Sequence, residues 1–242
     1  AFDVLLEALP ALTAGIKFEK SMRWNFTNVA FSRPVRWLLA MLGSAVIPFE
    51  YAGLTAQAST HGLRFVEPEV LSLRDPADYF ASLKAQGILL DPQERKAAIR
   101  NQVLALIAEV QGLEEIDEGL LEEVNQLVEA PTALKGNFEK EHLVLPPEVL
   151  ISVMKKHQRY FPVKGKDGKL LPHFIAVRNG DSQGMDLVTD GNEQVIRARF
   201  ADANFFIHED LKHKLSDLLA KLGSLTFQQK LGSMLDKSVR VT

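Results

Sequence analysis

The feature that most constrains the fold of this chain is a change of hydrophobic period at Pro76. Between Ala45 and Arg74 the apolar residues come in short runs, VIPFEY, ASTHGLRFV and VLSLRD, rich in β-branched and aromatic side chains and separated by Gly53, Gly62 and Pro68. Such runs read as strands of a mixed or antiparallel sheet. From Pro76 onward, PADYFASLKAQG, DPQERKAAIRNQVLALIAEVQG and DEGLLEEVNQLVE follow a helical period. In the second, Ile99, Val103, Leu106 or Ile107 and Val110 recur at helical steps, with Arg95, Lys96, Gln102 and Glu109 mostly on other faces. Asp91 with Pro92 starts that helix and Gly112 stops it. Strands followed by successive helices favour an α+β fold over a regularly alternating one.

Further signals extend this reading. Ser32 as cap and Pro34 in the first turn predict a short helix over Arg33 to Leu42, ended by Gly43. Pro146 and Pro147 open a helix whose interior, LISVMKK, runs into a basic cluster before the strands RYFPVKG and LLPHFIAVRNG. Asp167–Gly168 between those strands predicts a hairpin turn with positive φ at both central positions. Asp190 and Glu193 match a capping box, and Ile196, Phe200, Ala203, Ile207, Leu211, Leu215, Leu218 and Leu222 predict one long helix, kinked near His208 and broken at Gly223. We expect one mixed α+β region across residues 1–242, with a sub-boundary near 130–145.

At 242 residues, 46% apolar and 24% charged, the chain has the makeup of a soluble globular protein. It has no cysteine, which excludes disulfides and thiolate metal sites and fits a reducing, cytoplasmic setting. No apolar run approaches the roughly 20 residues that cross a bilayer, so no membrane is expected among its partners. The chain opens without methionine on a helical pattern and closes at LDKSVRVT on another, as a piece of a longer protein does.

The net charge of −3 argues against a uniformly basic nucleic-acid binder, but charge is unevenly placed. Glu114 to Glu129 holds seven acids and no base, whereas Lys155 to Arg178 holds seven bases and one acid, Asp167. The acidic run reads as a solvated surface. Lys155, Lys156, His157, Gln158, Arg159 and Tyr160 form the sharper candidate: cations for phosphates, an arginine fork, and an aromatic ring for an exposed base suit structured RNA. The alternative is a helix C-terminus whose cations offset the macrodipole, with Tyr160 and Phe161 entering the core.

Arg197 and Arg199 lie about 200° apart on a helix, so at most one contacts an RNA ligand and the other pairs with an acid such as Glu193 or Asp202. His61 and Arg64 could face RNA from a strand, although an ordinary sheet-surface role suits them better. Trp37 reads as a helix anchor. No P-loop, G-x-S-x-G elbow or H-E-x-x-H helix is present, and the six histidines lack ligand spacing, so no catalytic, cofactor or metal site is assigned.

Five blocks, MRWNFTNVAFSRPVRWLLAMLG, LVEAPTALKGNF to QRYFPV, FIAVRNG, GNEQVIRARFADANFF and TFQQKLGSMLDK, resemble in order and spacing the beta subunit of the bacterial two-subunit glycyl-tRNA synthetase. The resemblance implies an internal or N-terminal-half fragment preceding an HD-like domain, in an enzyme that activates glycine with ATP and Mg²⁺ in its alpha subunit. It further implies a non-catalytic part in tRNA(Gly) binding and scaffolding, with the alpha subunit and tRNA(Gly), not DNA, as partners. The alternative is a module for subunit assembly without direct RNA contact. A hydrolytic editing domain is a weaker third reading, for want of an acid, base or nucleophile constellation.

Overall fold

The computed structural model describes residues 1–63 and 70–242. The fold is α+β, with eight α-helices and small antiparallel sheets among the described residues. The chain divides into two compact units, one of Ala1–Leu104, Ile116–Ala133 and Val177–Gln183, the other of Ala105–Glu115, Leu134–Ala176 and Gly184–Thr242.

In the first unit, helix α1 (Phe2–Ala14) precedes a series of short hairpins: β1 (Met22–Arg23) with β2 (Ala30–Phe31), β3 (Met41–Leu42) with β4 (Ala45–Val46), β5 (Glu50–Tyr51) with β6 (Leu54–Thr55), and β7 (Ser59–His61) with β8 (Val70–Ser72). Among the described residues of the stretch from Ala45 to Arg74, the expected strand character is present as separate antiparallel pairs. The β5–β6 turn has positive φ at both Ala52 and Gly53, the two-residue geometry that matches strand twist. Arg64 and Pro68 lie outside the described residues.

The helix expected over Arg33 to Leu42 does not form: Arg33 to Leu38 is irregular, and Met41 and Leu42 are strand. Gly43, expected as a helix stop, turns the β3–β4 hairpin with φ 57°. Ser32 and Pro34 are local start signals, and a cap alone is worth about 1 kcal/mol. The segment is held in bridge pairing, with Gln57 N–H on Leu38 O and Ile47 N–H on Ala40 O. Trp37 instead packs its ring at 4.5 Å from that of His61.

Helices α2 (Pro76–Ala85), α3 (Pro92–Glu109) and α4 (Glu118–Asn125) follow as the period predicts. Their starts are chemically explicit. Asp75 and Asp78 form a reciprocal capping box, Asp91 accepts from the amides of Gln93 and Glu94, and Asp117 accepts from that of Leu120. The Glu94 amide, then that of Gln93, holds the Asp91 carboxyl below its ordinary range. The end of α3 corrects a detail: Gln111, at φ 55°, is the left-handed residue, with Gln111 N–H on Ala108 O and Gly112 N–H on Ile107 O. Gly112 is needed for close approach, since a Cβ there would stand 2.8 Å from Ile107 and 2.9 Å from Val163.

The acidic run is not merely solvated. Arg100 grips both carboxylate oxygens of Glu118 at 2.6 and 2.7 Å, and Lys96 reaches Glu122 at 2.7 Å. Arg95 bonds the carbonyl of Leu89 and both oxygens of Asn125, whose buried amide donates to Pro92 O. Lys96, Arg100 and, in part, Arg95 of α3 are thus spent on α4, while Gln102 bonds Pro131 and Ala133, and Glu109 pairs with Lys135.

A three-stranded sheet in the order β10 (Phe161–Lys164), β11 (Leu170–Asn179), β9 (Pro131–Asn137) is the largest among the described residues. Strands β10 and β11 are antiparallel, pairing Phe161 with Ile175 and Pro162 with Phe174. Their connection is longer than a two-residue turn, and only Gly168 has positive φ, with Gly168 N–H on Gly165 O and Gly165 N–H on Lys169 O. The expected positive φ at Asp167 is therefore absent; its carboxylate accepts from the Lys169 amide instead.

Beneath the sheet, in the second unit, Leu134, Leu150, Met154, Tyr160, Phe174, Ile196 and Phe200 form one buried cluster. Helix α5 (Pro147–Ser152) and α6 (Met185–Leu211) supply its helical side. Helix α6 starts before the expected capping box: Asp190 and Glu193 lie inside it, and Gly184, at φ 64°, precedes its first turn. It also ends at Leu211, before the expected Gly223; α7 (Leu215–Leu219) is separate, and β12 (Thr226–Gln228), β13 (Gly232–Ser233) and α8 (Met234–Val241) close the chain.

Candidate nucleic-acid interface

The basic cluster sits on an unusual turn. Apolar residues Leu150 and Met154, four apart, are fully buried, so α5 is pinned along one face. The next buried anchor is Tyr160, six residues on. An α-helix cannot satisfy both anchors, and the chain widens into a π-helical turn over Val153–Gln158. Its close is correspondingly broad: Tyr160 N–H bonds Met154 O at 3.0 Å and Arg159 N–H bonds Lys155 O at 3.3 Å. Each of these spans one residue more than the matching bond at the end of α3.

Arg159 stands at the end of this turn with φ 58° and ψ 35°, the left-handed region. A residue with a Cβ costs roughly 1–2 kcal/mol there. The neighbouring residue holds that strain in place: Tyr160 is buried with its ring stacked 4.6 Å from that of Phe174, and its hydroxyl donates to Asn192 Oδ1. The Asn192 amide in turn donates to Val188 O at 2.7 Å. Burial pushes the Tyr160 hydroxyl up to about 12. A polar residue on the apolar stripe of α6, Asn192 is a positioning residue that sequence reasoning missed; its place one helical turn before Ile196 was the available signal.

The individual candidates fare differently. Lys156 and His157 are exposed, whereas Lys155, Gln158 and Arg159 are partly covered. Arg159 donates an Nη1 hydrogen to the Lys156 carbonyl, which closes the turn over itself. The Tyr160 ring, expected as a stacking platform for a base, is taken by Phe174 and is not presented to a ligand. Phe161 is buried as a strand residue.

On α6, ideal helical geometry puts Ile196 and Phe200 about 40° and 80° to one side of Asn192, Arg199 about 20° to the other, and Arg197 about 140° away. The two arginines therefore flank the buried stripe on opposite edges. Arg197 Nε donates to Glu139 at 2.6 Å, and that bond holds the Glu139 carboxyl below its ordinary range and raises the guanidinium. Arg199 lies 3.9 Å from Asp202, a loose exposed pair. Arg199 thus lies on the Asn192 edge of the buried stripe and Arg197 on the far edge.

With this geometry in view, relatedness is decisive. A family profile described as "Glycyl-tRNA synthetase beta subunit" matches residues 1–242. The chain belongs to that family. It is 48% identical over 239 residues to the glycine–tRNA ligase beta subunit of Desulforamulus reducens, covering 99% of this chain and 34% of that protein. The Bacillus subtilis protein of the same name is 46% identical over 238 residues, covering 98% and 35%. That of Clostridioides difficile is 46% identical over 239 residues, covering 99% and 35%. The chain thus spans about a third of the length of these relatives. No described helix is long and apolar enough to cross a membrane.

Proposed function

We propose that this chain is a non-catalytic, tRNA-binding and scaffolding portion of a glycine–tRNA ligase beta subunit, acting in the cytoplasm. In this reading ATP and Mg²⁺ serve an alpha subunit that glycylates tRNA(Gly), and this chain holds the RNA in position. The observation that carries it is the π-turn: Lys156 and His157 are exposed on a segment fixed by buried Met154 and Tyr160 and closed by a strained Arg159. Strain of that kind persists where surrounding packing over-determines it, and it concentrates at functional sites. Cations at a helix C-terminus also offset its dipole, but that role needs no widened turn.

A photo-crosslinker placed at position 156 of the reconstituted two-subunit enzyme tests this. Crosslinks to tRNA(Gly) support the reading. Crosslinks to the alpha subunit alone replace it with the second reading, an assembly module without RNA contact. That alternative draws on Phe205, Phe206 and Leu211 of α6, which are 59%, 63% and 78% exposed and suit a protein contact.

A further inference from the structure

Away from the π-turn, β9 and β11 build a second polar arrangement in the same unit. Along β9, Leu134 and Gly136 face the buried cluster, Gly136 so closely that a Cβ would stand 2.2 Å from the Phe174 ring. Strand alternation turns Lys135 to the opposite face. Asn137 ends the strand and is locked by Glu193 of α6, whose Oε1 accepts from the Asn137 backbone amide at 2.7 Å and from its Nδ2 at 3.1 Å. A carboxylate only accepts, so the Asn137 amide group is oriented with Nδ2 toward Glu193. Its Oδ1 then faces His173 Nδ1, 2.7 Å away.

This orientation sets the tautomer. An oxygen acceptor opposite Nδ1 requires the proton there, which leaves Nε2 of the neutral ring as an acceptor. Partial burial, then the charges of Lys135 and Lys140, hold the His173 imidazole below its ordinary range. Lys140 is exposed, and Lys135 also reaches Glu109 at 3.1 Å. The arrangement is a fixed neutral acceptor flanked by Lys135 and Lys140, with the Glu193 carboxylate turned to Asn137 and Glu109 to Lys135. A ligand that matches it carries a hydroxyl donor next to an anion, which is what each nucleotide of an RNA backbone offers in its 2′-hydroxyl and phosphate.

We infer that His173 Nε2 accepts an RNA 2′-hydroxyl while Lys140, aided by Lys135, holds the neighbouring phosphate, with Asn137 and Glu193 as positioning residues. This rests on the tRNA-binding reading above and adds a ribose-specific contact to it. Nothing in the π-turn distinguishes RNA from DNA, because phosphate contacts carry no such information.

The test compares tRNA(Gly) with its all-2′-deoxy counterpart on the reconstituted two-subunit enzyme. Loss of one hydrogen bond is worth a few-fold in affinity, so His173→Phe should weaken the RNA about fivefold and leave the 2′-deoxy molecule unchanged. Lys140→Ala, at an exposed position that folding tolerates, should weaken both and lower the salt slope by about one unit of charge. Equal effects of His173→Phe on the two nucleic acids, or none, overturn the inference. So does reduced association with the alpha subunit at unchanged tRNA affinity, which would make this face a protein contact. A Lys156→Ala/His157→Ala enzyme run alongside separates the failures: if it loses tRNA while His173→Phe does not, only the ribose contact falls; if neither does, the tRNA-binding reading falls too.

Discussion

The two halves of α6 are built from the same kinds of residue and end in opposite environments. In the first, Ile196 and Phe200 are fully buried, Asn192 holds the Tyr160 hydroxyl, Glu193 holds Asn137 and Arg197 holds Glu139. In the second, Phe205, Phe206 and Leu211 are exposed, and among the described residues none from Ala201 to Thr242 is buried. A helical period continues through both. What differs is whether the sheet and the π-turn present partners, so an apolar stripe shows which face seeks cover and not whether cover is supplied.

The largest expected effect sets the halves directly against each other. Phe200→Ala should cost about 3–5 kcal/mol by urea denaturation, and Phe206→Ala should stay within about 0.5 kcal/mol. Similar losses at both positions would break the comparison. Next comes Gly136→Ala, which drives a methyl group into the Phe174 ring and should cost about 1–3 kcal/mol, seen as a lowered Tm.

A smaller effect sharpens the picture of the first half. Because the folded-state pKa of Tyr160 is raised, the native state keeps its proton where the unfolded chain has lost it. Stability from this group is complete below about pH 10 and declines as pH rises toward about 12. The alkaline slope of Tm should therefore flatten in Tyr160→Phe, and the variant should lose about 1 kcal/mol near neutrality with the Asn192 bond. The least effect is expected from the exposed Glu139–Arg197 pair. Its carboxyl is lowered, so its contribution is present above the ordinary glutamate range and fades as pH falls through the lowered value. Arg197→Ala should show a small Tm decrease at pH 7 that vanishes in acid.

Much of this fold was legible in the sequence, for reasons visible at particular residues. The starts of α2, α3 and α4 are written locally, in an aspartate followed by amides that it can reach. Strand-rich and helix-rich stretches follow from period alone, which suffices for the α+β class. Errors arose where a local signal lacked tertiary support. Ser32 and Pro34 begin no helix because the segment is held instead by Trp37 against His61 and by the Gln57 amide on Leu38 O, and Asp190 with Glu193 mimics a cap inside α6, where Glu193 holds Asn137. At Arg159 the reverse holds: the burial of Met154 and Tyr160 imposes a left-handed, π-type close that no propensity encodes.

The candidate interface was legible only as chemistry. Lys155 to Arg159 stood out by charge, but whether each side chain is presented depends on the turn, which exposes Lys156 and His157 and takes Tyr160 into the core. Asn137 and His173, 36 residues apart, gave no joint signal because strand pairing alone brings them together.

The salt dependence of tRNA(Gly) binding tests the role of the π-turn most directly, measured on the reconstituted two-subunit enzyme with and without Lys156→Ala/His157→Ala. Each phosphate contact contributes close to one unit to the slope of log affinity against log salt. If the turn grips the RNA backbone, the double variant binds more weakly with a slope shallower by about one, and subunit association is unchanged. An unaltered affinity and slope would contradict it.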